Sequence, residues 1–304
     1  MMPGIRLFNS NRLEVLIEKL AAILRKPPKS PLHKEIVVVQ SKGMERWVSM
    51  ELASRLRICA NFWFPFPNAL LDEVCTRVLG RLPEPSPFDP AILAWKVLRV
   101  LPECIHAPAF EPLRNYLRGD QLELKRFQLA RRIADLFDQY LVFRPDMVFA
   151  WDCGEDRCGG WQPLLWRQLA QDCGVPHRAR LHQALNQRLQ RGNLDAAQLP
   201  ERIAVFGISA LPPFHLEVFA ALADHIEINL FLMNPCQEYW ADIHSERETA
   251  RILSRATGTG ALPGELHLET GNSLLAGMGT LGRDFFHLVH EVVGESQDLF
   301  VVGK

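Results

Sequence analysis

No stretch of this 304-residue chain approaches the roughly 18 consecutive apolar residues that a membrane-crossing helix needs. The opening MMPGIRLFNSNRLEV lacks the basic, apolar and small-residue order of a secretory leader. A cytoplasmic protein without membrane contact is therefore expected. Cysteine is sparse and odd in number, with residues at 59, 75, 104, 153, 158, 173 and 236, which argues for reduced thiols rather than a disulfide framework. Cys153, Cys158, Cys173 and His177 have spacings loosely like those of a zinc site, but the second pair is Cys-x3-His in a helical context, so no metal is expected. Internal repeats and low-complexity tracts are also missing.

What is present is ample apolar material, 48% of residues, which excludes a disordered chain and suffices for one large domain or two ordinary ones. The net charge of −1 conceals a segregation. Residues 1–194 carry 28 Lys and Arg against 20 Asp and Glu, whereas residues 195–304 carry 6 against 15. A basic front half can face phosphates and an acidic back half a basic partner; two solvated surfaces of different sign fit the count equally well.

Periodicity organises the chain as a sheet interrupted by helices. Ile5–Phe8 reads as a short apolar strand, followed by a helix with Leu13, Leu16, Ile17, Leu20 and Ile23 on one face and with Asn11 and Glu14 as a capping box. Glu35–Gln40 is a β-branched run suited to a buried parallel strand, and Ser41 starts a second helix through Arg55. From Phe88 to Leu194 strand signals vanish, and helical patterns alternate with prolines. Strands return at Arg202–Ile208 and Ile226–Met233, separated by a helix over Phe214–Ala223. Beyond 234 the chain reads as helical and loop-rich, with Gly258, Gly260, Gly264 and Gly271 marking a mobile connection. The expected fold is α/β: a parallel-sheet domain formed by 1–87 and 196–304, interrupted by an all-α domain over 88–195.

A parallel sheet invites a search for phosphate chemistry at its carboxyl edge. The turn after the first strand, Asn9-Ser10-Asn11-Arg12, has neither the glycines nor the Lys-Ser/Thr pair of a phosphate loop. The strand ending Val205-Phe206-Gly207-Ile208-Ser209-Ala210-Leu211 offers no carboxylate for magnesium. Gly154-Glu155-Asp156-Arg157 lacks the supporting carboxylates of a metal nuclease, and Ser209 lacks the glycines of a nucleophile elbow. No catalysis is expected.

Three segments suit nucleic acid. In QSKGMERW, residues 40–47, a strand runs into a helix whose first N–H groups, with Ser41 and Lys42, can hold a phosphate; an ordinary helix cap has the same sequence. The helix Lys125–Pro145 has a core stripe of Leu129, Ile133, Leu136, Phe137 and Tyr140 opposite Gln128, Arg131, Arg132, Asp135, Asp138 and Gln139. Arg, Gln and Asp are the types that read base edges, although Arg131 and Asp135 are also spaced for an ordinary ion pair. Cys173–Leu194 carries Arg178, Arg180, Arg188 and Arg191 with no acid among them, a stripe that suits phosphates or simply solvent.

In order along the chain, NSNRLEVL, VVVQSKGMERWVSMELA, ICANFWFPFPNALLDEVCTRVL, FQLARRIADLFDQYLVFRPD, GISALPPFHLEVFAAL, INLFLMNPCQEYWADI and NSLLAGMGTLGRDFF resemble the RecC family, the gamma subunit of exodeoxyribonuclease V. The resemblance covers essentially the whole chain. It implies an inactive helicase-like fold: a RecA-like domain 1A without Walker motifs, interrupted by helical domain 1B. It also implies RecB-type and RecD-type partner subunits, which use the ATP and Mg2+ while this chain binds no cofactor. Single-stranded DNA is the implied ligand and Chi recognition during recombinational repair the implied role. Family members are several-fold longer, so the chain is expected to be the N-terminal region of such a subunit. The family's Chi-contacting positions correspond to Gln40, Asp135, Leu136, Asp138, Gln139, Arg144 and Arg178 with the same residue type. At four further positions Lys42 stands for a threonine, Arg46 for a glutamine, Asp72 for a tryptophan and Phe66 for a leucine, which implies an altered Chi sequence. An AddB-like helicase/nuclease fragment, or a protein-interaction module without DNA binding, are the alternatives.

Overall fold

The computed structural model describes residues 4–30, 32–80, 85–156, 159–192, 194, 198–256, 268 and 271–301. Gly258, Gly260 and Gly264, and with them most of the expected mobile connection, lie outside the described residues. The chain divides into two compact units, residues 1–72 with 195–304, and residues 73–194.

The first unit is built on β1 (Ile5–Ser10), α1 (Leu13–Leu24), β2 (Glu35–Val38), α2 (Lys42–Leu56), β3 (Phe62–Trp63) and the start of α3 (Pro67–Leu79). The second unit contains the rest of α3, α4 (Pro90–Cys104), α5 (Glu111–Tyr116), α6 (Leu122–Phe143), α7 (Pro145–Asp152), α8 (Trp161–Cys173) and α9 (Arg178–Gln190). The first unit resumes with β4 (Arg202–Phe206), α10 (Pro213–Ala223), β5 (Glu227–Met233), α11 (Glu246–Ala256), α12 (Ser273–Met278), α13 (Thr280–Val292) and β6 (Glu295–Asp298). Among the described residues every strand belongs to the first unit, and the second is helical.

The six strands form one sheet in the order β3-β2-β4-β5-β1-β6, every adjacent pair parallel. Parallel pairing demands a crossover between neighbours and leaves strands covered on both faces, so β-branched and aromatic runs win over alternation. Accordingly Val37, Val38, Val205, Phe206, Ile228 and Phe231 are almost wholly buried. Phe8 stacks on Phe231 at 5.1 Å between ring centroids, and Phe206 meets Phe231 tilted at 5.7 Å, joining β1, β5 and β4. At the amino edge Arg202 pairs with Glu35, and it also donates to the carbonyls of Ile23 (3.2 Å) and Lys26 (2.7 Å), closing the end of α1.

Two strands escaped the sequence reading. β3 has only two residues, and β6 is Glu-Ser-Gln-Asp, exposed throughout. A polar edge strand carries no hydrophobic signal, and charge on an edge discourages further pairing. The expected capping box is not formed either. Arg12 is the residue preceding α1 and caps nothing, while the Asn11 side chain bonds instead to the backbone of Val301.

The core of the second unit is aromatic. Trp151, Trp166, Phe110 and Phe137 are fully buried, and Phe137 meets Trp166 edge-to-face at 5.4 Å. Asp152 is sunk beside them and accepts three bonds of 2.9 Å, from Trp166 Nε1, His177 Nε2 and Arg180 Nε. This carboxylate ties α7 to α8 and to the first turn of α9, where His177 Nδ1 accepts from the Arg180 backbone N–H.

Candidate nucleic-acid interface

At the carboxyl edge of the sheet, the chain leaves β2 through buried Val39 and emerges at exposed Gln40. The Val39 N–H donates to Pro65 O at 3.1 Å, so the segments following β2 and β3 run out side by side. Ser41 is extended, and its hydroxyl accepts from Met44 N at 3.1 Å, which starts α2 and leaves the earliest N–H groups of the helix without intrahelical acceptors. Lys42 and Arg46, one turn apart, are both exposed. The Lys42 ammonium lies 5.7 Å from the centroid of Phe66, a ring 41% exposed, and also pairs with Glu45 at 2.6 Å. Gln40 Oε1 is 3.5 Å from both the N–H and the hydroxyl of Ser209, in the turn after β4. Gln40, Lys42, Arg46 and Phe66 therefore share one edge, with a cation, an amide and an aromatic face side by side. Asp72 sits half-buried on α3, nearly two turns beyond Phe66.

Gly207 makes this edge possible. Its φ is +63°, and an added Cβ would lie 3.1 Å from Met44 Cε. The turn after β4 thus needs a residue free to enter the left-handed region and small enough to pass under the first turn of α2.

The turn after β1 is filled from within the chain. Ser10 Oγ donates to Leu299 O at 2.8 Å, and the Leu299 N–H donates to Asn9 O at 2.7 Å. The Asn11 amide both donates to Val301 O and accepts from Val301 N, at 3.0 and 3.1 Å. The segment following β6 is thus bonded along the turn after β1.

In the second unit, α6 carries the other positions. Its buried side is Ala130, Ile133, Ala134, Phe137 and Leu141; Gln128, Arg131, Arg132, Asp135 and Gln139 are exposed, and Leu136 and Asp138 are half-buried. Asp135, Asp138 and Gln139 lie at i, i+3 and i+4 on one face. Asp138 receives Arg178 Nη1 from α9 at 3.5 Å. Burial pushes the Asp138 carboxyl above the usual aspartate value, the Arg178 charge pulls it down only in part, and Asp89 and Asp135 add to the rise. Arg144 is exposed at the end of α6, 3.8 Å from Asp146. Among the described residues, Arg131 and Asp135 do not form the ion pair their spacing allows. Two aromatic residues beside them, Trp95 and Phe127, were missed in the sequence. The buried stripe of α4 is Leu93, Ala94, Val97, Val100 and Leu101, and Trp95 falls off that stripe, a signal that was there to be read.

No group of three or more His, Cys, Asp or Glu suited to a metal exists among the described residues. Of the four candidates weighed for zinc, His177 is committed to Asp152 and Cys173 Sγ accepts from Lys96 at 2.9 Å; Cys153 is exposed, and Cys158 lies outside the described residues. No described helix is long and apolar enough to cross a membrane.

The family described as "RecC, N-terminal domain" matches residues 5–303. The chain belongs to the RecC family. It is 36% identical to the RecBCD enzyme subunit RecC of Escherichia coli K12 over 98% of its own length, and 33% identical to the subunit of that name from Haemophilus influenzae over 93%. The RecBCD enzyme subunit RecC of Mycolicibacterium smegmatis is 32% identical over 92%. The chain spans 29%, 30% and 25% of the length of these three relatives. The segments that carry the resemblance lie in both units: QSKGMERW runs into the start of α2, and FQLARRIADLFDQYLVF fills most of α6.

Proposed function

We propose that this chain is the N-terminal, catalytically inactive helicase-like part of a RecC-type subunit, which binds single-stranded DNA and recognises Chi within a RecBCD-type complex during recombinational repair. In this reading the sheet unit is a RecA-like domain 1A and the helical unit its insertion 1B. RecB-type and RecD-type subunits supply ATP hydrolysis and strand cleavage in the cytoplasm.

The observation that carries the proposal is the sheet's carboxyl edge. Gln40, Lys42, Arg46 and Phe66 stand there together, while the turn after β1, where a motor would cradle a triphosphate, is bonded to Leu299 and Val301. A helicase-like sheet with that turn filled by its own backbone retains an edge for the strand and loses the means to burn ATP. The exposed Asp135 and Gln139 of α6, and the pair between Asp138 of α6 and Arg178 of α9, add groups that read base edges.

Fluorescence anisotropy of labelled single-stranded DNA at low and moderate salt, beside an ATPase assay, tests the reading. Binding is expected to fall steeply with added salt, because each neutralised phosphate releases counterions, and no ATP turnover is expected. ATP hydrolysis by the chain itself would overturn the inactive-helicase reading.

A further inference from the structure

On the second unit, α4 and α6 enclose a cavity of about 370 Å³ whose walls include Ala94, Trp95, Phe127, Arg131 and Asp135. That volume falls within the range of small-molecule sites. Most of the lining residues are apolar, and the other two are a cation and an anion that form no ion pair with each other among the described residues. Trp95 leaves 63% of its surface in solvent, with its ring 5.6 Å from that of Phe127 and tilted by 49°. A large indole held open beside a second ring is a stacking platform, because every base offers a π-face to such a surface.

We propose that this cavity is a nucleobase pocket in which Trp95 stacks against one base of a single strand while Arg131 and Asp135 select guanine. Guanine presents two adjacent acceptors, O6 and N7, that suit the forked guanidinium of Arg131. Its N1–H and exocyclic amine, next to O6, suit the two oxygens of a carboxylate. Adenine and cytosine offer an amine to Asp135 without guanine's O6/N7 pair for Arg131, and thymine offers no amine at all. The pocket rests on the reading of this chain as a single-strand binder. It adds Trp95, Phe127 and Arg131 to that surface and meets it at Asp135.

The test uses the intact chain and fluorescein-labelled oligothymidylates that contain one dG, one dA or one abasic position. The wild-type chain is expected to favour the dG strand. Trp95→Ala should weaken binding of that strand roughly tenfold and erase the preference for it. Trp95→Phe should restore most of the affinity, and Asp135→Asn should lower the preference for dG over dA without changing the salt dependence. An unchanged melting temperature is expected for Trp95→Ala, since so exposed a ring contributes little packing. If Trp95→Ala kept both affinity and dG preference while Lys42→Ala or Arg46→Ala weakened binding, the pocket would be wrong and the broader reading would stand. If the wild-type chain bound no strand, the pocket would be wrong as a site of this chain, and strand binding would belong to the assembled complex.

Discussion

Two aspartates of the helical unit, Asp138 and Asp152, are held in opposite protonation balance. Burial pushes Asp152 up, yet the bonds from His177 and Trp166, the His177 charge and the Arg180 bond outweigh it and bring the carboxyl below its ordinary value. The folded unit therefore prefers ionised Asp152. That stability is present above the ordinary aspartate range, near pH 4, and is lost as pH falls through the lowered value. Asp138 is raised, so its folded form prefers the proton; the associated stability is present in acid and lost as pH rises through the raised value. Replacing each with asparagine should separate them at pH 7. Asp152→Asn is expected to melt lower because three donors lose a charged acceptor, at a cost of about 2–4 kcal/mol. Asp138→Asn is expected to melt no lower than the native chain. A carboxylate kept against its own stability is what a binding residue would show. Thermal melts of both variants check this, and a marked loss for Asp138→Asn would assign that residue to structure. In the sheet unit, Glu248 is held at about 2 by the Arg283 bond and by Ser245, so its contribution survives at neutral pH and is lost only in strong acid, between the ordinary glutamate range and about pH 2.

At the scale of elements, legibility followed burial. β1, β2, β4 and β5 were readable because both faces of each are covered, and a short, continuous, β-branched apolar run suits little but a buried strand. α6 was readable because its apolar and polar residues keep separate faces over 22 residues. β3 and β6 were not, since two residues make no pattern and Glu295–Asp298 is wholly polar. The Asn11 cap failed because a distant segment, reaching the turn through Val301, claimed the amide that local sequence assigned to α1. Long-range bonds of that kind leave no trace in spacing. The candidate site divides in the same way. Gln40, Lys42 and Arg46 could be placed at the start of a helix from sequence, whereas their meeting with Phe66 and Ser209 depends on the order of β3, β2 and β4. Gly207 is the element-level test of that edge. Gly207→Ala must hold a left-handed φ and press on Met44, so a loss of about 1–2 kcal/mol is expected in denaturant unfolding. No loss at all would mean that the turn relaxes readily and does not fix the edge.

For the molecule as a whole, the charge segregation seen in the sequence does not follow the structural division. The basic front half includes β1, β2, α2 and all of the helical unit, while the acidic back half completes the sheet that β1 and β2 begin. One folding unit thus combines a basic edge segment with an acidic remainder, which fits a sheet with one edge toward DNA and other surfaces toward solvent or a basic partner. The central claim is that this chain reads sequence in a strand without turning over ATP. The most direct measurement is regulated strand cleavage by the assembled complex on substrates carrying varied octamers, with ATPase recorded in parallel. The native chain is expected to respond to an octamer other than that of the best-known family members. Gln40→Ala, Asp135→Ala and Arg178→Ala are each expected to lose that response while ATP turnover by the complex is unchanged. Native-like octamer responses from all three variants, or loss of ATP turnover in step with loss of response, would contradict it.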